Sequence, residues 1–437
     1  MSLISNQISS LRGETVCPGD KSISQRILIL GSLLNHNMTV KGFLDACDPN
    51  STLNALNSLG ACIEKTNNEV VLNQRDQIFK ESSNALDLGN SGTGIRLMMG
   101  LISGLGINAT LIGDESLSKR PMLRVIKPLQ DMGAKFKSNK GRAPIEIITS
   151  HISSNFEYQM PLASAQVKSS LMLASLSSNN SLMITEPKTT RDHTERMIEY
   201  FGGDIQYGDN DRKGLIRLGI KKLIPRDSYE IVGDFSSASF IIIAALIAKD
   251  SNVIIRNVGL NNTRSGLIEI LLLMGANIEI KNQKLICNEV SGDIVVKSSN
   301  LHGVEVPENI IPNIIDEIPI LCIAAAFAEG KTTIKNASEL RVKESDRLNA
   351  ISEGLGKLNI SHSMFDDGIS IEGNNDFVNI DQDIDSFNDH RIAMSFLIAG
   401  IRSKNGVRVK NCKNIETSFP SFKDTMNSLG MKINENN

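Results

Sequence analysis

The chain has 437 residues, 41% of them apolar, with 46 Lys and Arg against 49 Asp and Glu and a net charge of −3. That is enough chain for two or three domains with substantial cores, and it excludes both a disordered polymer and a general nucleic-acid binder with its basic excess. The absence of Trp and an aromatic content of 4% argue against base-stacking platforms, so a site for an anionic ligand must be a local cluster of Lys and Arg.

The opening residues MSLISNQISSLRG lack a charged-then-apolar leader, and no apolar run reaches membrane-spanning length. Six cysteines (Cys17, Cys47, Cys62, Cys287, Cys322, Cys412) show neither Cys-x-x-Cys nor Cys/His ligand spacing. They read as free thiols of a reducing compartment, with no metal site and a cytoplasmic location expected.

Taken in chain order, the predicted elements repeat. An apolar, Ala/Gly/Ser-rich helix begins near RILILGSLL (26–34) and returns at IRLMMGLISGL (95–105), KSSLMLASL (168–176), SASFIIIAAL (237–246), IPILCIAAAF (318–327) and RIAMSFLIAG (391–400). Being apolar nearly all round, these helices are expected to be buried and closely packed. A β-rich piece follows most of them, as in NMTVKGF, INATLIGD, SLMITEP, SNVIIRNV and KTTIKNA. An amphipathic helix comes next and closes on a capping residue at Gly60, Gly133, Gly202, Gly275, Asn359 or Gly430. Gly and Asn are the residues that a left-handed helix C-cap selects. An alternating strand follows each cap.

Six such units predict an α/β fold of two similar domains with three units each, buried helices inside and sheets outside, and a chain that crosses between the domains twice, as a two-stranded hinge. The divide is expected near SYEIVGDFSSAS (228–239), with the N-terminal strand around QISSLRGETV completing the C-terminal domain. Residues 1–18 and 233–437 then form one discontinuous domain, and residues 19–232 the other.

The mouths of the buried helices read DKSISQR, GNSGTGIR, ASAQVKSS, GDFSSAS, DEIP and NDHR. Most carry capping residues, and helix N-termini with unpaired N–H groups favour anions. Cations sit there or at the next helix mouths: Lys21, Arg26, Arg120, Arg191, Lys343, Arg347 and Arg391. A single polar mouth is ordinary capping. Cationic or anion-cradling residues at the same place in most repeats are not, and they point to a ligand with several negative charges.

The ordered set PGDKSISQR, LGNSGTGIRL, RPM, SAQVKSSLMLA, GDFSSASF, LRVKESDRL, NDHRIAM and SFPSF resembles the EPSP synthase family of enolpyruvyl transferases over nearly the whole chain. The resemblance implies two domains of three βαβαββ repeats each with buried parallel helices, an inside-out α/β barrel pair. It also implies transfer of the enolpyruvyl group of phosphoenolpyruvate (PEP) to the 5-hydroxyl of 3-phosphoshikimate by addition and elimination, with no cofactor. Two small-molecule substrates are implied as the partners, with no nucleic acid or membrane and a monomeric protein. Carried over by motif, Lys21, Ser22, Arg26, Ser164, Ala165, Gln166, Arg191, Asp316 and Lys343 would hold 3-phosphoshikimate. Lys21, Gly92, Arg120, Gln166, Arg347 and Arg391 would hold PEP. Asp316 would be the base and Glu344 the proton donor, with Lys21 sharing the proton work; a donor carboxyl needs a raised pKa and therefore a partly desolvated place. The chain departs from many members at Thr417, where they carry lysine, and from one branch at Glu339, where it has Asn. The sister family acting on UDP-N-acetylglucosamine usually has Asn after the first lysine and Cys or Asp in the loop before the arginine. Here those places read Ser22 and GDESLSKRP, a loop with no cysteine. A non-catalytic anion-binding repeat protein would have no use for both Asp316 and Glu344.

Overall fold

The structure is a computed structural model that describes residues 1–66, 69–76, 79–208, 214–374, 376, 378 and 382–435. It is α/β, with six sheets among the described residues, five four-stranded and mixed and one three-stranded and antiparallel.

One sheet plan recurs. Leu86–Asp87 pairs parallel with Ala109–Ile112, which pairs antiparallel with Arg142–Ile148, itself antiparallel to Lys135–Asn139. The parallel step requires a crossover, supplied by the helix Gly92–Leu105. The same plan holds for Phe156–Gln159, Leu182–Thr185, Leu215–Leu218 and Ile205–Tyr207 around the helix Ala165–Ser178. In the three-stranded sheet, isolated parallel bridges His302–Glu329 and Glu305–Thr333 stand where the other sheets have a first strand.

Two sheets follow the plan with exchanged first strands. Arg12–Val16 precedes the helix Lys21–Leu34 in sequence, yet pairs parallel with Asn252–Gly259, the strand after the helix Phe235–Ile247. Reciprocally, Ser228–Glu230 precedes Phe235–Ile247 but pairs parallel with Met38–Lys41, the strand after Lys21–Leu34. The chain divides into two compact units, Met1–Pro18 with Val232–Lys284 and Val290–Asn437, and Gly19–Ile231 with Leu285–Glu289. The exchange of first strands accounts for the crossings at 18/19 and 231/232. The hairpin tip Leu285–Glu289 departs from the sequence expectation, which kept it with the discontinuous domain. In the second unit Cys287 Sγ accepts from Glu230 N at 3.4 Å, and Asn288 O from Arg196 at 3.1 Å. Contacts made by a hairpin's apex leave no trace in the periodicity of its strands.

The repeated helices are the core. All thirteen residues of Phe235–Ile247 and all ten of His390–Ala399 are buried, and each fully buried Ile or Leu contributes about 1.5–3 kcal/mol. In the second unit, Gly100 and Gly104 let Gly92–Leu105 approach Ala165–Ser178; a Cβ at either would run into the backbone of Ser170 or Ala174. The six capping positions of the exposed helices all have left-handed φ: Gly60 93°, Gly133 111°, Gly202 70°, Gly275 89°, Asn359 57° and Gly430 109°.

Candidate active site

Five of the six buried helices are capped by a side chain. Asp20, Asp234 and Asp389 accept from Ile23, Ser237 and Arg391 N–H, and Ser91 and Ser164 from Gly94 and Val167 N–H. The sixth, Ile318–Ala326, has no side-chain cap bond. At the aspartate-capped mouths the protein supplies its own anion. The two serine caps leave the positive end of the helix uncompensated by the cap, and both lie in the second unit.

That unit assembles the cations around the Ser91 and Ser164 mouths and the first turn of Lys21–Leu34. Lys21 Nζ lies 3.0 Å from Asp48 Oδ2, itself on the helix Cys47–Ser58. Gln25 Nε2 reaches Thr52 Oγ1 at 3.2 Å and bonds to Ser91 Oγ, tying the first two mouths together. Arg26, only 4% exposed, donates to Thr194 Oγ1 at 2.8 Å, Ser169 Oγ at 3.1 Å and Ser22 O at 3.1 Å. Arg120 donates to Asn90 Oδ1 at 2.5 Å and Ser116 Oγ at 3.3 Å. Gly92 is where backbone meets guanidinium: a Cβ there would stand 2.9 Å from Arg120 Nη1 and 3.2 Å from Arg96 Nη1.

Arg96 is a residue that motif reading passed over. It donates to Gln166 Oε1 at 2.7 Å while Gln166 Nε2 donates to Thr93 Oγ1 at 3.1 Å, so the amide is fixed from both ends. Its signal was available, one turn after Gly92 in an otherwise apolar run. Ala165 is the first residue of its helix, and Arg191 lies between the strand Leu182–Thr185 and the helix His193–Tyr200.

Beneath that segment is a buried ionic group also missed from sequence. Lys168 Nζ lies 2.7 Å from Glu195 Oε1 and 3.1 Å from Glu186 Oε2, with all three side chains at most 1% exposed. Burial alone would lower the lysine's pKa, but the two glutamates outweigh it and hold the ammonium charged; burial pushes Glu195 up.

The first unit gathers the carboxylates. Arg347, 1% exposed, donates to Asp389 Oδ2 at 2.8 Å, Glu344 Oε2 at 2.5 Å and Asp316 Oδ1 at 3.4 Å. Burial alone would lower its pKa, yet the charges of Asp389, Glu344 and Asp316 raise it above the ordinary arginine value. Asp316 also lies 3.6 Å from Lys343 Nζ, and its carbonyl accepts from Arg391 at 2.8 Å. Glu317, fully buried, lies 3.5 Å from Arg391 Nη1 and accepts from Ser236 Oγ, which also accepts from Arg264 at 2.5 Å. Glu317 and Asp389 were not singled out from sequence, although each is a charge at the mouth of an apolar helix. Glu344 is partly buried, its side chain 19% exposed, and pairs with the Arg347 guanidinium. Thr417 closes a short 3₁₀ turn by donating to Asn414 O at 2.7 Å. Among the described residues no group of three or more His, Cys, Asp or Glu could hold a metal ion, and no helix is long and apolar enough to cross a membrane.

Comparison with known proteins places this arrangement. The family model described as EPSP synthase (3-phosphoshikimate 1-carboxyvinyltransferase) matches residues 5–426. The chain belongs to the EPSP synthase family. Among curated relatives, the 3-phosphoshikimate 1-carboxyvinyltransferase of Petrotoga mobilis is 46% identical over 96% of this chain and 97% of its own. The enzyme of that name from Legionella pneumophila (strain Lens) is 44% identical over 100% and 99%. A solved EPSP synthase from Acinetobacter baumannii superposes with a TM-score of 0.86 at 38% identity, covering 99% of both chains.

Proposed function

We propose that the chain is a 3-phosphoshikimate 1-carboxyvinyltransferase of the shikimate pathway to chorismate and the aromatic amino acids. It moves the enolpyruvyl group of PEP to the 5-hydroxyl of 3-phosphoshikimate, giving 5-enolpyruvylshikimate 3-phosphate and phosphate. Family membership across residues 5–426 carries this reading.

The chemistry asks for what the two clusters contain. The substrates bring two phosphates and two carboxylates, which call for several guanidinium, ammonium and backbone donors. Lys21, Ser22, Arg26, Ser164, Ala165, Gln166, Arg191, Asp316 and Lys343 take 3-phosphoshikimate; Lys21, Gly92, Arg120, Gln166, Arg347 and Arg391 take PEP. Asp316 accepts the proton of the 5-hydroxyl as its oxygen attacks C2 of PEP. Glu344 gives a proton to C3, so the vinyl group becomes a methyl and a tetrahedral adduct forms. Glu344 then removes a C3 proton as the C2–O bond to phosphate breaks. Arg347 holds Glu344 at 2.5 Å; when the guanidinium turns to PEP, Glu344 loses its counter-charge and its proton affinity rises, which suits a donor. Lys21 shares the proton work.

In the same reading each unit is an inside-out α/β barrel of three repeats, the crossings at 18/19 and 231/232 form a hinge, and the enzyme is a cytoplasmic monomer. Phosphate release from PEP tests the function. Turnover is expected with 3-phosphoshikimate, none with UDP-N-acetylglucosamine, and loss in Asp316→Ala. Turnover with the sugar nucleotide alone would move the chain to the sister reaction.

A further inference from the structure

The segment Glu186–Glu195 carries Arg191, and both of its ends and its middle converge on one buried ammonium. Lys168 Nζ lies 3.1 Å from Glu186, 2.7 Å from Glu195 and 3.4 Å from the carbonyl of Thr190, the residue before Arg191. Glu186 closes the same turn from the other side, accepting from Thr190 N at 3.3 Å and Thr190 Oγ1 at 2.7 Å. The neighbours in sequence extend the arrangement. Ser169, next to Lys168, and Thr194, next to Glu195, are 2.7 Å apart through their hydroxyls, and both accept from Arg26. One buried lysine therefore sets the backbone that presents Arg191 and the hydroxyl pair that aims Arg26. The tip of the turn, Pro187–Lys188, is exposed, but its inner side rests on a buried ammonium, where each lost contact would leave a buried charge or carbonyl unsatisfied.

We propose that Lys168, with Glu186 and Thr190, is a positioning group for the phosphate of 3-phosphoshikimate, acting through Arg191 and Arg26 without touching substrate. This rests on the assignment of Arg191 and Arg26 to that substrate. Glu195 is the third member in charge but not in loop geometry: an amide there still accepts from Lys168, and the Thr190 contacts do not involve it.

The test separates positioning from folding. Lys168→Met alone leaves two buried carboxylates without a counter-charge, so the informative variant is the neutral Lys168→Met/Glu186→Gln/Glu195→Gln, with Glu195→Gln as control. Steady-state kinetics should show the KM for 3-phosphoshikimate raised at least 10-fold in the triple variant, with the KM for PEP and kcat within about threefold. Glu195→Gln should stay within about twofold on all three. In an Arg191→Ala background the triple change should add clearly less than it does in wild type, since only the route through Arg26 is left. A triple variant that lowers Tm but leaves the KM for 3-phosphoshikimate unchanged, or raises both KM values equally, overturns the proposal. If Arg191→Ala itself leaves that KM unchanged, the assignment of Arg191 fails and the proposal with it.

Discussion

The two cation clusters use the same side chains for opposite ends. In the second unit, Arg26, Arg96 and Arg120 donate to hydroxyl, amide and carbonyl oxygens of Thr194, Ser169, Gln166, Asn90 and Pro121. Those acceptors carry no net charge and fix the direction of a guanidinium, while Lys21 in the same unit pairs with the Asp48 carboxylate. In the first unit, Arg347 and Arg391 are bound to or beside Asp316, Glu317, Glu344 and Asp389. There carboxylates meet the guanidinium groups. Under the proposed function this cluster would supply Asp316 and Glu344 for proton transfer as well as binding.

That contrast is broken most directly at Asp316. Asp316→Asn keeps the shape and removes the proposed base, so kcat should fall by about 10²–10⁴-fold while both KM values change only a few-fold. A comparable rise in KM with kcat preserved would mean that Asp316 only binds.

Removing a matched cation should cost folding as well as activity. Arg347→Met leaves Asp389, fully buried, and its neighbours uncompensated, a loss of about 3–5 kcal/mol. Chemical denaturation should show it, and Arg347→Met/Asp389→Asn should recover part of it. If the double variant is no more stable than the single, the carboxylate pairing is not what holds this cluster.

Much of this was legible in the sequence, and the reasons differ by region. The six caps could be read because a left-handed backbone position selects Gly or Asn whatever surrounds it, and Asn359 with φ 57° obeys the same rule as the glycines. The buried helices could be read because nothing else is apolar on every face. The exchanged first strands could be read only in part: Arg12–Val16 was expected in the C-terminal domain, where it pairs with Asn252–Gly259, but neither it nor Ser228–Glu230 has a pattern that names its partner strand, and pairing is decided by which helix each strand lies beside. The Lys168–Glu186–Glu195 group was hidden for a similar reason. Three charges far apart in a charged sequence look like solvated surface until the fold makes them meet.

A cation on the binding side should behave differently from Arg347. Arg120→Gln keeps a donor for Asn90 and removes the charge, so the KM for PEP should rise about 10–100-fold, the size of a lost charge-assisted hydrogen bond, with kcat and Tm little changed. A fall in Tm as large as that of Arg347→Met would erase the distinction between Arg120, held by Asn90 and Ser116, and Arg347, held by carboxylates.

The smallest effect comes from the same chemical pair placed near solvent. On the sheet formed by Arg12–Val16, Asn252–Gly259 and Glu289–Lys297, Arg256 lies 2.8 Å from Asp293 and 2.5 Å from Glu14. Burial alone would raise the Asp293 pKa, but bonds from Asn282, the Asn257 N–H and Arg256 outweigh it and hold the carboxyl down at about 2. A carboxyl held below its ordinary value adds stability that is present above that ordinary value and is lost as the pH falls through the depressed one. Wild type should therefore be slightly more stable than Asp293→Asn near neutral pH. The Tm difference should shrink as pH falls below about 4 and vanish near about 2. A difference that stays constant over that range would mean that the amide loses packing rather than charge. A difference as large as that of Arg347→Met would mean that burial is not what separates a structural ion pair from a surface one.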